Sequence, residues 1–393
     1  MRGLRNGIVR GILGAFRSHC PAVLLAALAL SGAVRDMPAQ AQRPEPIRVA
    51  SVFARTGAGA EENSPNYRIV RLAANRINSA GGVLGRPLEI VEFDTASTAL
   101  GARQAALDAV EADVVAVVGP SWSSQALAMG PILQKAGIPM IGATTTAPEV
   151  TAVGDFIFRV CYTDDLQARE NLGASRAGVV TIAGDVYSEG LSAGFTQYFT
   201  ALGGTVARQE RYLQDAMDFS AQIEAVRREA PDLVFAAGYT RDSGLLLKQS
   251  RGAGLDMPFL GGDGWTALEH YPYLDPARGE NYYVSHWHPD DASPASREFV
   301  ELLRREFGPD ALNTIDAGNA NAYDALCLVA DAVRRAGSAE PRAVRDALAA
   351  TDGFVGVTGT ISFRGGRDPL KPLVVLRITP DAVEFVKKVE PLR

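Results

Sequence analysis

Two hydroxyl clusters offer the chemistry of anion binding. Gly119-Pro120-Ser121-Trp122-Ser123-Ser124 follows an apolar run and opens a helical pattern. Unpaired N–H groups and hydroxyls at a helix start form a ready site for a carboxylate. Thr144, Thr145 and Thr146, ahead of Ala147-Pro148, make the second cluster. Further along, the residue character changes. Asp185-Val186-Tyr187-Ser188, Gly238-Tyr239 and Gly261-Gly262-Asp263-Gly264-Trp265 present carboxylates and aromatic faces, which suit an ammonium through charge-assisted hydrogen bonds and cation–π contact. Taken singly, the hydroxyls read equally well as N-caps and the aromatics as packing. Taken together, donors in one half and acceptors in the other fit a zwitterion.

Three patterns point toward catalysis and each fails on mechanics. Thr56-Gly57-Ala58-Gly59-Ala60 resembles a dinucleotide turn, but Glu62 stands where the third glycine belongs and would repel a pyrophosphate. Gly190-Leu191-Ser192-Ala193-Gly194 matches a hydrolase nucleophile motif. That nucleophile must sit in the turn directly after a strand, whereas Ser192 falls inside the next helical stretch. His286-Trp287-His288 puts two imidazoles on one face of a strand, with no third ligand at metal spacing. These read as surface or hinge histidines. No catalytic set, cofactor or metal site is expected; an exported hydrolase using Ser192 is the enzyme alternative.

The elements that must hold these residues alternate regularly. A strand over 47–53 (IRVASVF) precedes Ser64-Pro65, an N-cap followed by a first-turn proline. Strand 87–93, helix 98–111, strand 113–118, helix 123–136 and strand 138–142 complete a first series. Strands 178–183, 205–212, 232–236 and 257–260, with helices 188–202, 219–229 and 241–253, form a second. A strand over 281–287, helices 294–307 and 317–336, and strands 353–363 and 372–378 follow. Strict alternation implies parallel sheets covered by helices on both faces, with ligands bound at the carboxyl ends of the strands.

The first residues carry Arg2, Arg5, Arg10 and Arg17, then an apolar run from Ala22 to Leu30 and Ala39-Gln40-Ala41. This is the layout of a secretory signal peptide, with cleavage expected after Ala41. The run is shorter than the roughly 20 residues a membrane span requires, and no later stretch serves as one. Removing the leader strips five Arg and one Asp and leaves a net charge of about −10. That balance argues against nucleic acid or anionic lipid as partner. Of the three cysteines, Cys161 and Cys327 lie beyond the leader, and the sequence leaves their pairing open.

INSAGGVLGRPLEIVEFD (77–94), GPSWSS (119–124), TTAPEVT (145–151), FRVCYTDDLQ (158–167), GDVYSEGL (184–191), DFSAQI (218–223), GYTRDSG (238–244) and GGDGW (261–265) resemble, in order, the motifs of the leucine/isoleucine/valine-binding class of type I periplasmic binding proteins, which serve ABC importers. The resemblance implies two Rossmann-like lobes with parallel central sheets flanked by helices, joined by a three-strand hinge. It implies crossovers near Asp164, His286 and Leu370, with one lobe of 42–163 plus 287–369 and another of 164–286 plus 370–393. It further implies that Ser123 and Thr146, with the Thr144 backbone, bind a ligand α-carboxylate. Asp263 would face the α-ammonium and Tyr239 pack over it, with Asp164 and Tyr187 on the rim and second lobe. A periplasmic monomer that hands an amino acid to an inner-membrane permease is the expected role; a ligand-sensing protein of the same fold is the alternative. Glu61, Glu62 and Asn63 depart from the family pattern at the side-chain end of the pocket, where Trp122 also lies, and put a leucine-like ligand in doubt.

Overall fold

The computed structural model describes residues 44–266, 278–379 and 382–391, so the leader and its cleavage site lie outside it. In the first sheet, β1 (Ile47–Phe53), β2 (Leu88–Asp94), β3 (Ala116–Val118), β4 (Met140–Gly142) and β5 (Ile157–Arg159) run parallel in the order β2-β1-β3-β4-β5. β1 is buried along nearly its whole length, as a strand covered on both faces must be. Its helices are α1 (Ala60–Asn63), α2 (Pro65–Ser79), α3 (Ala99–Glu111), α4 (Ser123–Ala136) and α5 (Glu149–Ala152).

α6 (Asp164–Gln167) leads into a second series of β6 (Arg176–Ile182), α7 (Val186–Ala201), β7 (Thr205–Tyr212), α8 (Ser220–Arg228), β8 (Leu233–Ala237), α9 (Thr240–Gly252), β9 (Phe259–Gly261) and β10 (Asn281–Ser285). There follow α10 (Pro294–Phe307), α11 (Ala317–Ala336), α12 (Pro341–Ala349), β11 (Phe354–Gly356), β12 (Gly359–Ile361), β13 (Leu373–Ile378) and β14 (Val383–Val389). The second sheet has the order β14-β13-β10-β9-β8-β6-β7. Its five parallel strands repeat the winding of the first sheet, and β13 and β14 add an antiparallel edge.

Two large cores follow the sheets rather than the chain order. Phe53, Val70, Phe158, Phe299, Leu326 and Val344 share one cluster, so α10 to α12 pack with the first sheet although they come after β10. Val179, Phe195, Phe235, Leu247, Phe259 and Trp265 share the other. In the latter, the Phe195 and Phe235 rings stack at 4.0 Å, a contact worth about 0.5–1.5 kcal/mol beyond its buried area. The chain therefore passes between the sheets three times. Two passages are laced together: Arg159 pairs with Asp368 at 2.6 Å, and buried Lys371 donates to the Val160 carbonyl at 2.8 Å.

The α/β class with helix-flanked parallel sheets is as expected, three local readings change, and the cysteine pairing that the sequence left open is answered. The stretch 353–363 is a two-strand hairpin of its own, β11 with β12, and does not pair with β13. β13 pairs instead with β10 and with β14, a strand whose charged, exposed pattern gave little signal. Ser64 has helical dihedrals and makes no capping bond, because α1 runs almost directly into α2. Cys161 and Cys327 are free thiols.

Candidate functional site

The carboxyl ends of β3 and β4 face those of β8 and β9 across a cavity of about 50 Å³. Its wall includes Ser121, Trp122, Ser123 and Thr144 from the first series and Tyr187, Tyr239, Asp263 and Gly264 from the second. Such crevices are where open α/β sheets bind ligands. Gly119 makes the first turn possible: its φ is +103°, and a Cβ there would lie 2.1 Å from the Val52 carbonyl oxygen. Trp122 is the N-cap residue of α4 and contributes no side-chain capping bond. The Gln125 and Ala126 N–H groups donate to the Trp122 carbonyl at 3.1 and 3.0 Å, and the N–H groups of Ser123 and Ser124, ahead of them in the first turn, have no carbonyl one turn back within the helix to bond. Ser123 is buried, and its Oγ accepts the Ala147 N–H at 3.2 Å, fixing the β3 and β4 loops to each other. Thr144 turns its hydroxyl to the Ser121 carbonyl at 3.0 Å.

Thr146 and Asp164 stand behind this wall rather than in it. The Asp164 N–H donates to the Thr146 carbonyl at 3.0 Å, joining the two series. The Thr146 hydroxyl is close enough to draw down the Asp164 pKa, yet neither Thr146 Oγ1 nor Asp164 Oδ2 meets hydrogen-bond geometry with any partner. Burial, reinforced by the nearby Asp263 charge, pushes the Asp164 carboxyl up to about 8.

Asp263 is held more elaborately than its motif indicated. Its Oδ1 accepts from Gln167 Nε2 at 3.0 Å, its own N–H donates to Gln167 Oε1 at 3.0 Å, and its Oδ2 meets His286 Nε2 at 2.9 Å. The other Gln167 amide hydrogen goes to Asp164 Oδ1 at 2.6 Å. His286 is buried against the Tyr162 ring at 4.0 Å, and desolvation lowers its pKa although Asp263 opposes this. The neutral ring with Nε2 protonated is thus a donor to Asp263. A carboxylate has about four acceptor positions, so Asp263 retains capacity for a ligand donor. Of the surface-or-hinge reading of the histidines, the surface part is corrected for His286, which is buried directly after β10 and lines the cavity. His288 points elsewhere, to the Val383 carbonyl at 3.2 Å.

Aromatic rings close the cavity. Tyr239 stacks on Trp122 at 4.7 Å with 28° between planes, and Tyr187 lies 5.5 Å away. The Tyr187 hydroxyl accepts the Gly264 N–H at 3.0 Å, and the Tyr239 hydroxyl reaches the Asp185 carboxylate at 3.3 Å. Glu61 and Glu62 separate: Glu62 lines the cavity, while Glu61 is exposed and does not. Asn63 and Ser121 line it as well, and so do residues to which the motif reading gave no part in the pocket, namely Asn66, Thr266, His286 and the Asp316-Ala317-Gly318 start of α11. Asp316 was legible as an N-cap ahead of a long helical pattern; nothing local marked its place beside the cleft. Ser192 sits in α7, outside the cavity, and bonds to Thr181 Oγ1 at 2.7 Å.

A cavity walled by the strand ends of two doubly wound sheets, with the chain crossing between them three times, defines a two-lobed α/β binding protein. The chain belongs to the periplasmic binding protein family, whose model matches residues 46–382, and within it to the type I proteins of the branched-chain amino-acid class. It is 30% identical over 360 residues to the leucine-, isoleucine-, valine-, threonine- and alanine-binding protein of Pseudomonas aeruginosa, covering 86% of this chain and 90% of that one. The leucine binding protein LivK of Thermotoga maritima superposes with a TM-score of 0.80 at 31% identity, over 88% of this chain and 99% of that one. The isoleucine complex of LivJ from Streptococcus pneumoniae gives 0.78 at 26% identity, over 87% and 100%. These relatives are binding proteins, not enzymes, and no helix among the described residues is long and apolar enough to cross a membrane.

Proposed function

We propose that this protein captures an amino acid, or a close analogue, by closure of two lobes and presents it to an inner-membrane ABC permease. One lobe comprises 42–163 plus 287–369 and the other 164–286 plus 370–393. The protein works as a periplasmic monomer after cleavage following Ala41. The single observation that carries this reading is the division of the cavity wall. One side offers the α4 N-terminus with Ser123 and Thr144, and the other offers Asp263 together with Tyr239 and Tyr187.

In this reading the ligand carboxylate docks first on the α4 amides, the Ser123 hydroxyl and the Thr144 N–H. Tyr239 and Asp263 then swing onto the ammonium. The Trp122–Tyr239 stack, which joins the two sides, forms only when the lobes meet, so closure and ring contact are one event. Micromolar binding corresponds to about 8 kcal/mol. A few hydrogen bonds to charged groups, each about 1.5–3 kcal/mol, supply it after the cost of closure. Calorimetry against the amino acids, paired with small-angle scattering, tests the proposal. Saturable binding with a smaller radius of gyration is expected; binding with no compaction rules out closure, and no binding to any amino acid rules out the ligand class.

A further inference from the structure

The acceptor in the cavity wall is set by two side chains that come from the passages between the sheets. Gln167 ends α6, directly after the first passage, and His286 follows β10 at the second. Both are buried, and Asp263 meets them from the loop after β9. A backbone N–H can only donate, so the Gln167 oxygen must face the Asp263 N–H at 3.0 Å, and its nitrogen is thereby turned to the carboxylates. One amide hydrogen goes to Asp263 Oδ1 at 3.0 Å and the other to Asp164 Oδ1 at 2.6 Å. His286 Nε2 meets Asp263 Oδ2 at 2.9 Å. An ionised carboxylate has about four acceptor positions, so each Asp263 oxygen is pinned once and can accept once more.

The brace is anchored in the second sheet. Ala168, next to Gln167, shares a core with Leu260 of β9 and Tyr283 of β10. Tyr162 packs with Val284, Leu373 and Val375, and its ring lies 4.0 Å from His286. These contacts do not cross to the β3–β4 side, so the acceptor is preorganised before the two sides meet. Asp164, pushed up to about 8 mainly by burial, keeps its proton at neutral pH and adds no second charge behind Asp263. An α-ammonium brings a positive charge and three donors to the open positions, whereas a hydroxyl brings one hydrogen and no charge. A site built around buried hydrogen-bonding groups rejects an analogue that leaves them unpaired.

We infer that Gln167 and His286 are positioning residues that set the ligand class: by holding Asp263 open to two further donors, they select α-amino acids over the 2-hydroxy acids of the same side chain. This rests on the proposed binding function and deepens it. The wild-type chain is titrated calorimetrically with each protein amino acid. The tightest binder is then compared with its 2-hydroxy acid in wild type, Gln167→Leu, His286→Leu and His286→Gln. A wild-type preference for the amino acid of at least about a hundredfold is expected. Gln167→Leu and His286→Leu should each cut that preference about tenfold, the value of one hydrogen bond to a charged group, by weakening the amino acid alone. His286→Gln, whose amide keeps a donor, should restore the preference. Where a Leu variant does not fold, Gln167→Asn or His286→Asn, polar but one methylene too short, takes its place. Equal wild-type affinity for the two acids would overturn the inference and leave the binding function standing. Equal loss of both acids in the Leu or Asn variants, or no rescue by His286→Gln, would also overturn it, since the two residues would then serve the fold rather than Asp263. Absence of binding to every amino acid would overturn the inference and the binding function together.

Discussion

The two sides of the cavity solve ligand recognition by different means. The β3–β4 side offers the α4 N-terminus and hydroxyls whose own hydrogen bonds stay within the loops, as Ser123 with Ala147 and Thr144 with Ser121. The β8–β9 side offers Asp263, which is braced by Gln167 and His286 and backed by a second buried carboxylate, Asp164. Dipoles and hydroxyls enter a protein interior at small cost once bonded, whereas a buried carboxylate demands partners of its own. A donor surface is therefore legible as a short motif. An acceptor surface extends into a supporting layer drawn from distant sequence.

That contrast can be broken most severely at Asp263. Asp263→Ala is expected to weaken amino-acid binding at least about thirtyfold by calorimetry, because the ammonium loses a buried partner worth about 2–5 kcal/mol. Ser123→Ala should cost about tenfold, the value of one hydrogen bond to a charged group, with the Asp263 side still able to dock. If the two losses were equal, the sides would not differ as described. Trp122→Ala removes the ring contact between the sides. Up to about tenfold loss of affinity is expected, with a larger ligand-free radius of gyration by scattering.

The smallest effect sharpens the account of the supporting layer. The folded-state pKa of Asp164 is raised to about 8, so between its unfolded value near 4 and pH 8 the folded chain holds a proton that the unfolded chain releases. This carboxyl's contribution to stability is full below about pH 4 and is lost as pH rises toward 8. Asp164→Asn keeps the oxygen that Gln167 bonds and abolishes that titration. Its melting temperature should exceed the wild-type value by a few degrees at pH 8, with the gap closing toward pH 5. A pH-independent gap would remove Asp164 from the account.

Much of this arrangement was legible from residue order alone. Strand–helix alternation marked both doubly wound series, and α4, α10 and α11 have the boundaries that their periodicity predicts. The cavity-lining places of Ser123, Thr144, Tyr187, Tyr239 and Asp263 follow from their positions after apolar strands. What escaped lies in contacts between remote segments. His286 and Gln167 are unremarkable in their own neighbourhoods and acquire meaning only when β10 and α6 bring them to Asp263. The hairpin of β11 and β12 was hidden within one β-rich stretch, and Glu61 and Glu62 cannot be told apart until α1 turns one inward.

The placement of the indoles has an optical consequence. The protein has three tryptophans; Trp265 and Trp287 are buried in the cores of separate sheets, while Trp122 lies against the Tyr239 ring from the opposite side. If the lobes close as proposed, intrinsic emission would report the motion, since the quenching of Trp122 by the facing ring would track the distance between the lobes.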